Sequence, residues 1–182
     1  MLVCICMLTA IAVLSFTGLA LVNNCEESPD LSILLESAAE TNGVVQLNQS
    51  SYCLKSFVMI TDKTNLTIQR APNFADDVTI YCPEGSEIGM AFFNISELHF
   101  SNFTIDGCHL TNNSLNTVIT SVRAEIDFFY TIDSHTKIAV FIAGSSGIDI
   151  SQVNVINTPG IGLFILNPYD KCTLENLSLI HI

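Results

Sequence analysis

Three eight-residue segments, LHFSNFTI (98–105), IDISQVNV (148–155) and CTLENLSL (172–179), align with one another without a gap. Self-similarity of this kind is the sequence sign of a structure built from like units stacked in a row. The second and third segments are offset by 24 residues and the first and second by 50. The shorter offset sets a unit of 24 residues, and the longer one leaves residues 108–137 as an irregular unit or an excursion.

The columns of the alignment separate an inside from an outside, because successive side chains of a strand point to opposite faces. Leu98, Ile148 and Cys172 share one apolar column, and Phe100, Ile150 and Leu174 the next. Phe103, Val153 and Leu177 make a third, and Ile105, Val155 and Leu179 a fourth. Between the second and third lie two polar columns in succession, Ser101/Ser151/Glu175 and Asn102/Gln152/Asn176, which break the alternation where one strand must bend into the next. Asn102, Gln152 and Asn176 are expected to form a structural amide ladder, each side chain hydrogen-bonded to its neighbours in adjacent units.

Upstream, DLSILLESAAE (30–40) places Leu31, Leu34, Leu35 and Ala38 on one helical face, with Asp30 as N-cap and Gly43 beyond the end. Short β-branched or alternating runs follow: VVQLNQSSYCL, FVMI, NLTIQ and DVTIYC, punctuated by Asn, Asp, Pro, Gly and Ser. MAFF (90–93), IAVFIA (138–143) and IGLFIL (161–166) are apolar on both faces and predict strands covered outside as well as inside, for which the 108–137 excursion is the natural cover.

This pattern resembles the right-handed parallel β-helix of the pectin-lyase-like superfamily, whose short strands are joined by turns that often carry an asparagine ladder. In style it is similar to large extracellular β-helix proteins of animals. The resemblance implies an all-β solenoid over residues 44–182 with coils of the 24-residue unit length, and residues 21–43 as an N-terminal cap with a short α-helix. The chain stops directly after a strand, which predicts either a fragment of a longer protein or an end that pairs with another copy.

Met1–Val22 is an apolar run with no charged side chain, and Gly18 and Ala20 suit cleavage after Ala20, so residues 1–20 read as a signal peptide; the alternative is an uncleaved anchor extending to Val22. Either implies a secreted or cell-surface protein. Cys25, Cys53, Cys82, Cys108 and Cys172 would then meet an oxidising compartment. Cys82 and Cys108 both follow strands and are candidates to pair across neighbouring coils, while Cys25 with Cys53 would pin the helix to the first coil; connectivity itself is a matter of geometry. Cys172, in an inward column, is expected to be a buried thiol. Asn48, Asn65, Asn94, Asn102, Asn112 and Asn176 each begin an Asn-x-Ser/Thr sequon. Asn65 and Asn112 are the leading glycan sites, followed by Asn48 and Asn94; Asn102 and Asn176 are expected to carry little, since the ladder would bury them.

The formal net charge of −12, with scattered Lys and Arg, argues against nucleic acid and anionic membrane surfaces as partners. The superfamily resemblance suggests a lyase or hydrolase of acidic polysaccharide, chemistry that needs calcium-binding carboxylates with a base, or paired carboxylic acids. Asp76–Asp77 lack the neighbouring Gly-His-Gly of polygalacturonase-like hydrolases and fit a solvated turn. Asp106 and His109 fit a strand-end turn, and Arg70, Arg123, Lys55 and Lys63 stand apart. No catalytic, cofactor or metal residue is assigned. The leading expectation is a non-catalytic module that contacts glycans or extracellular proteins. A polysaccharide-cleaving enzyme with its catalytic coils beyond Ile182 is the alternative, and a structural adhesin-type stalk a third.

Overall fold

The computed structural model describes residues 25, 27–41, 43–83, 86–110, 137–166 and 170–180. One helix, α1 (Leu31–Glu40), precedes β1 (Val44–Leu47), β2 (Ser51–Cys53), β3 (Val58–Thr61), β4 (Leu66–Arg70), β5 (Thr79–Tyr81) and β6 (Met90–Phe93). The longer β7 (Leu98–Asp106), β8 (Ile138–Ala143), β9 (Ile148–Ile156) and β10 (Ile161–Leu166) follow, then β11 (Cys172–Glu175) and β12 (Ser178–Ile180). Among the described residues the protein is all-β with a single short helix, and the pairs between named strands are all parallel.

The strands form three stacks. β1, β4, the first half of β7, the first half of β9, and β11 make the first. β2, β5 and the second halves of β7 and β9, with β12, make the second. β3, β6, β8 and β10 make the third. The 50- and 24-residue offsets of the sequence are the pairing registers themselves. Leu98 lies beside Ile148 and Ile148 beside Cys172, Phe100 beside Ile150 and Ile150 beside Leu174, and Ile105 beside Val155 and Val155 beside Leu179.

Several bends between stacks are made by single residues in the left-handed region. After β3, β6 and β8 these are Asp62 (φ 56°), Asn94 (φ 52°) and Gly144 (φ 60°). A single left-handed residue turns the chain without breaking the ladder: the N–H groups of Asp62, Asn94 and Gly144 still donate to Phe93, Ala143 and Leu166 on the adjacent strands, each at 3.0 Å. Asn, Asp and Gly are the residues that tolerate this conformation most readily.

The core fills the space between stacks. Leu66, Leu98, Ile105 and Val58 are wholly buried, and Phe100 touches Phe92 edge-on at a centroid distance of 5.1 Å and Phe103 at 6.0 Å. The helix closes one end, on a face shifted from the one its apolar residues predict but sharing Leu31 and Leu35 with it. Leu31, Ser32, Leu35 and Ala39 are buried, whereas Leu34 is 41% exposed and Ala38 only half-buried. Ser32 turns the helix: its Oγ donates to the Ser56 carbonyl at 3.3 Å and accepts from the Ser56 N–H at 3.1 Å. Asp30 caps the helix as expected, accepting from Ser32 N–H at 2.9 Å.

β6 and β8 are buried on both faces. Their outer residues Ala91, Phe93, Phe141 and Ala143 cluster with Leu110 and Ile138. The expected cover, residues 108–137, falls mostly on 111–136, outside the described residues. β10 departs from expectation: it is only partly buried, and Ile161 is 36% exposed where its partner Ile138 is wholly covered. The same holds for Cys172, which is exposed and takes part in neither described disulfide, and for Leu179, 39% exposed beside a Val155 that is 2% exposed. An inward column is buried where something covers it on both sides: α1 covers β1, β2 and β3, whose inward Leu47, Tyr52 and Val58 are buried although each strand has one strand partner. Among the described residues, β10, β11 and β12 have one strand partner each.

Candidate interaction surface

Since inward residues alternate with outward ones, stacking also orders the exterior. On the first stack, Val44, Thr67, His99, Asp149 and Thr173 form one row across five strands. Gln46, Gln69, Ser101, Ser151 and Glu175 form the next. On the second stack, Ser51, Thr79, Thr104, Asn154 and Ser178 make a third, almost wholly of hydroxyls. Parallel strands repeat about every 4.7–4.9 Å, so these rows, Val44 apart, are regular arrays of polar groups.

Some neighbours within and beside the rows interact. His99 Nδ1 lies 3.8 Å from Asp149 Oδ2, with both side chains substantially exposed. Asn154 Nδ2 donates to Thr104 Oγ1 at 3.4 Å. At the corners, Asn94 Nδ2 donates to Asp62 Oδ1 and Asn157 Nδ2 to Asp106 Oδ1, each at 2.7 Å. Amide rungs therefore exist, at corners other than the one expected.

The column of Asn102, Gln152 and Asn176 has a different task from the ladder expected of it. All three adopt left-handed backbone, at φ 61°, 54° and 51°. Gln152 and Asn176 are exposed and Asn102 is half-buried, and among the described residues no hydrogen bond joins their side chains. The corner selects residues for backbone conformation, and burial does not hide the amides. Gln152 is the least suited to it, since left-handed backbone costs roughly 1–2 kcal/mol for most L-residues and less for Asn. Gln152→Asn is expected to raise stability by about 0.5–1 kcal/mol in urea unfolding, with Gln152→Val lowering it; equal midpoints would remove the backbone argument.

Both cysteine pairings form: Cys25–Cys53 ties the segment before α1 to β2, and Cys82–Cys108 links the residue directly after β5 to one two positions past the end of β7. Of the sequon asparagines, Asn48, Asn65 and Asn94 are exposed, and Asn112 lies outside the described residues.

The residues weighed for catalysis do not converge. Asp76 and Asp77 are exposed; Arg70 reaches back to them, with Nη1 3.5 Å from the Asp76 carbonyl and 3.7 Å from Asp77 Oδ1, which ties a surface loop. Asp106 accepts from Asn157, while His109 Nδ1 faces the Gly107 carbonyl at 3.5 Å. Lys55 is exposed, Lys63 half-exposed, and Arg123 is outside the described residues. Among the described residues, no group of three or more His, Cys, Asp or Glu is placed to hold a metal ion. A depression lined by Val155, Thr158, Gly160, Gly162, Leu179 and Ile180 encloses about 40 Å³, room for a few waters and not for a sugar ring.

The His99–Asp149 contact was open to discovery in the sequence, since both occupy the second position of aligned segments. It is missed when columns are sorted only into apolar and polar. The two disulfides fit an extracellular protein, and among the described residues no helix is long and apolar enough to cross a membrane. Compared with known proteins, the chain matches no protein-family profile, no curated protein and no solved structure.

Proposed function

We propose that the chain is a right-handed parallel β-helix module of a secreted or cell-surface protein, and that it works without catalysis by presenting its outer rows to a glycan or an extracellular protein. The observation that carries this reading is the five-strand register of the polar rows on the first two stacks. Flat, regular arrays of hydroxyls, amides and an imidazole–carboxylate pair suit ligands that are themselves repetitive and rich in hydroxyls. The net charge of −12 disfavours acidic polymers, so neutral glycans come first. End-to-end pairing through the exposed Ile161, Leu179 and Ile180 is a further mode of contact that such a module would support.

The test is binding of the secreted full chain to immobilised neutral and acidic glycans, alongside the variant Gln69→Ala/His99→Ala/Ser101→Ala. The expected result is a preference for neutral glycans and a loss of about tenfold or more in the variant, equivalent to roughly 1.4 kcal/mol. Equal binding by both proteins would sink the role of the first stack. Cleavage of any polysaccharide by the chain would sink the non-catalytic reading.

A further inference from the structure

We infer that the corner between the first and second stacks carries a row of N-linked glycans on Asn48, Asn102 and Asn176. This rests on the secretory reading above, and it reverses the expectation that Asn102 and Asn176 stay bare.

The three residues begin the sequons Asn48-Gln49-Ser50, Asn102-Phe103-Thr104 and Asn176-Leu177-Ser178. The parallel registers align Asn102 with Asn176, and Asn48 lies at the same corner one residue beyond the matching position, Leu47. Asn48 lies between β1 and β2, Asn102 at the bend of β7, and Asn176 between β11 and β12. These are the first, third and fifth levels of the same two stacks. At the fourth level stands Gln152, and the second-level connection, residues 71–78, contains no sequon. Acceptors therefore fall on alternate levels, roughly 9–10 Å apart at two strand spacings each. A glycan on every level would crowd its neighbours; every second level gives each sugar chain a free strand's width.

The acceptor atoms are available. Asn48 takes the Tyr52 hydroxyl on Oδ1 at 3.0 Å, which leaves Nδ2 to solvent. Among the described residues, nothing accepts a hydrogen bond from Nδ2 of Asn102 or Asn176. Asn94 differs, since its Nδ2 is committed to Asp62. In the transfer, Nδ2 bonds to the anomeric carbon of an oligosaccharide carried on a lipid diphosphate. The carbon–oxygen bond to the diphosphate breaks, the diphosphate leaves with the electron pair, and Nδ2 releases one proton. The fold has only to leave room for the bulky product at the surface, as it does at the exposed Asn48 and Asn176 and, with Asn102 half-buried, at the bend of β7.

The experiment is site mapping of the full chain expressed through a eukaryotic secretory pathway, with enzymatic glycan release in heavy-oxygen water to mark each occupied asparagine. Asn48, Asn102 and Asn176 are expected to be marked together with the exposed Asn65. Thr104→Val and Ser178→Ala, which remove a sequon without touching the left-handed residue, are each expected to lower the intact mass by one glycan. Marking at Asn65 with Asn102 and Asn176 bare would overturn the row and leave the secretory reading standing. A chain with no asparagine marked, Asn65 included, would overturn both.

Discussion

Phe100→Ala is expected to destabilise the protein by about 3–5 kcal/mol, the usual cost of emptying a fully packed aromatic site. Phe100 is 2% exposed, sits between Ile68 and Ile150 in its column, and packs against Phe92 and Phe103 from the other walls of the core. Strands held on both sides by ladder hydrogen bonds cannot collapse into the space, so the cavity term stays near its upper range. Domains of this size are stable by only about 5–15 kcal/mol, so the loss takes a large share of the whole. The measurement is denaturant unfolding with the disulfides intact, using Ser101→Ala as comparison. That next residue points outward and should change stability by no more than about 0.5 kcal/mol. If both variants unfold at the same denaturant concentration, the assignment of inside and outside along β7 is wrong.

Removing the Cys82–Cys108 disulfide with the double variant Cys82→Ala/Cys108→Ala should cost about 3.5 kcal/mol, from the loop-closure entropy its 26-residue separation restores to the unfolded chain. Cys25→Ala/Cys53→Ala opens a loop of nearly the same length, 28 residues, so chain entropy alone predicts an almost equal loss. Location separates the two. Cys82–Cys108 joins the ends of β5 and β7 within the packed stacks, whereas Cys25–Cys53 holds the segment leading into α1, which can open by itself. Hydrogen exchange should therefore show faster exchange confined to residues 27–41 without Cys25–Cys53, and a general loss of protection without Cys82–Cys108. The same exchange pattern in both variants would mean that the helix and the stacks form one cooperative unit.

Particular residues show how far the sequence could be read. Phe100, Ile150 and Leu174 were legible as one column because burial forces like residues into register and strand alternation is a local property. Cys82 and Cys108 were plausible partners from their places after strands, yet only the parallel pairing of β5 with β7 brings them together. The helix illustrates a near miss. Its periodicity predicted an amphipathic element with Asp30 as cap, but the choice of buried face went to Ser32, whose partner Ser56 is 24 residues away. The candidate surface was harder still, because Thr67, His99 and Asp149 belong to different strands and only their register makes them neighbours.

The sequence by itself determined the strand alternation, the repeat offsets, the capping helix and the inward apolar columns. These follow from side-chain hydrophobicity and the two-residue period of a strand, and neither needs a distant partner. Tertiary structure alone decided how much of each column is covered, which is why Cys172 and Leu179 are exposed while Ile148 and Val155, in the same columns, are not. It also decided that Asn102, Gln152 and Asn176 serve the bend through their backbone. Coverage depends on a strand or the helix lying on each side, and a bend on the path between stacks, and both are set by residues dozens of positions away.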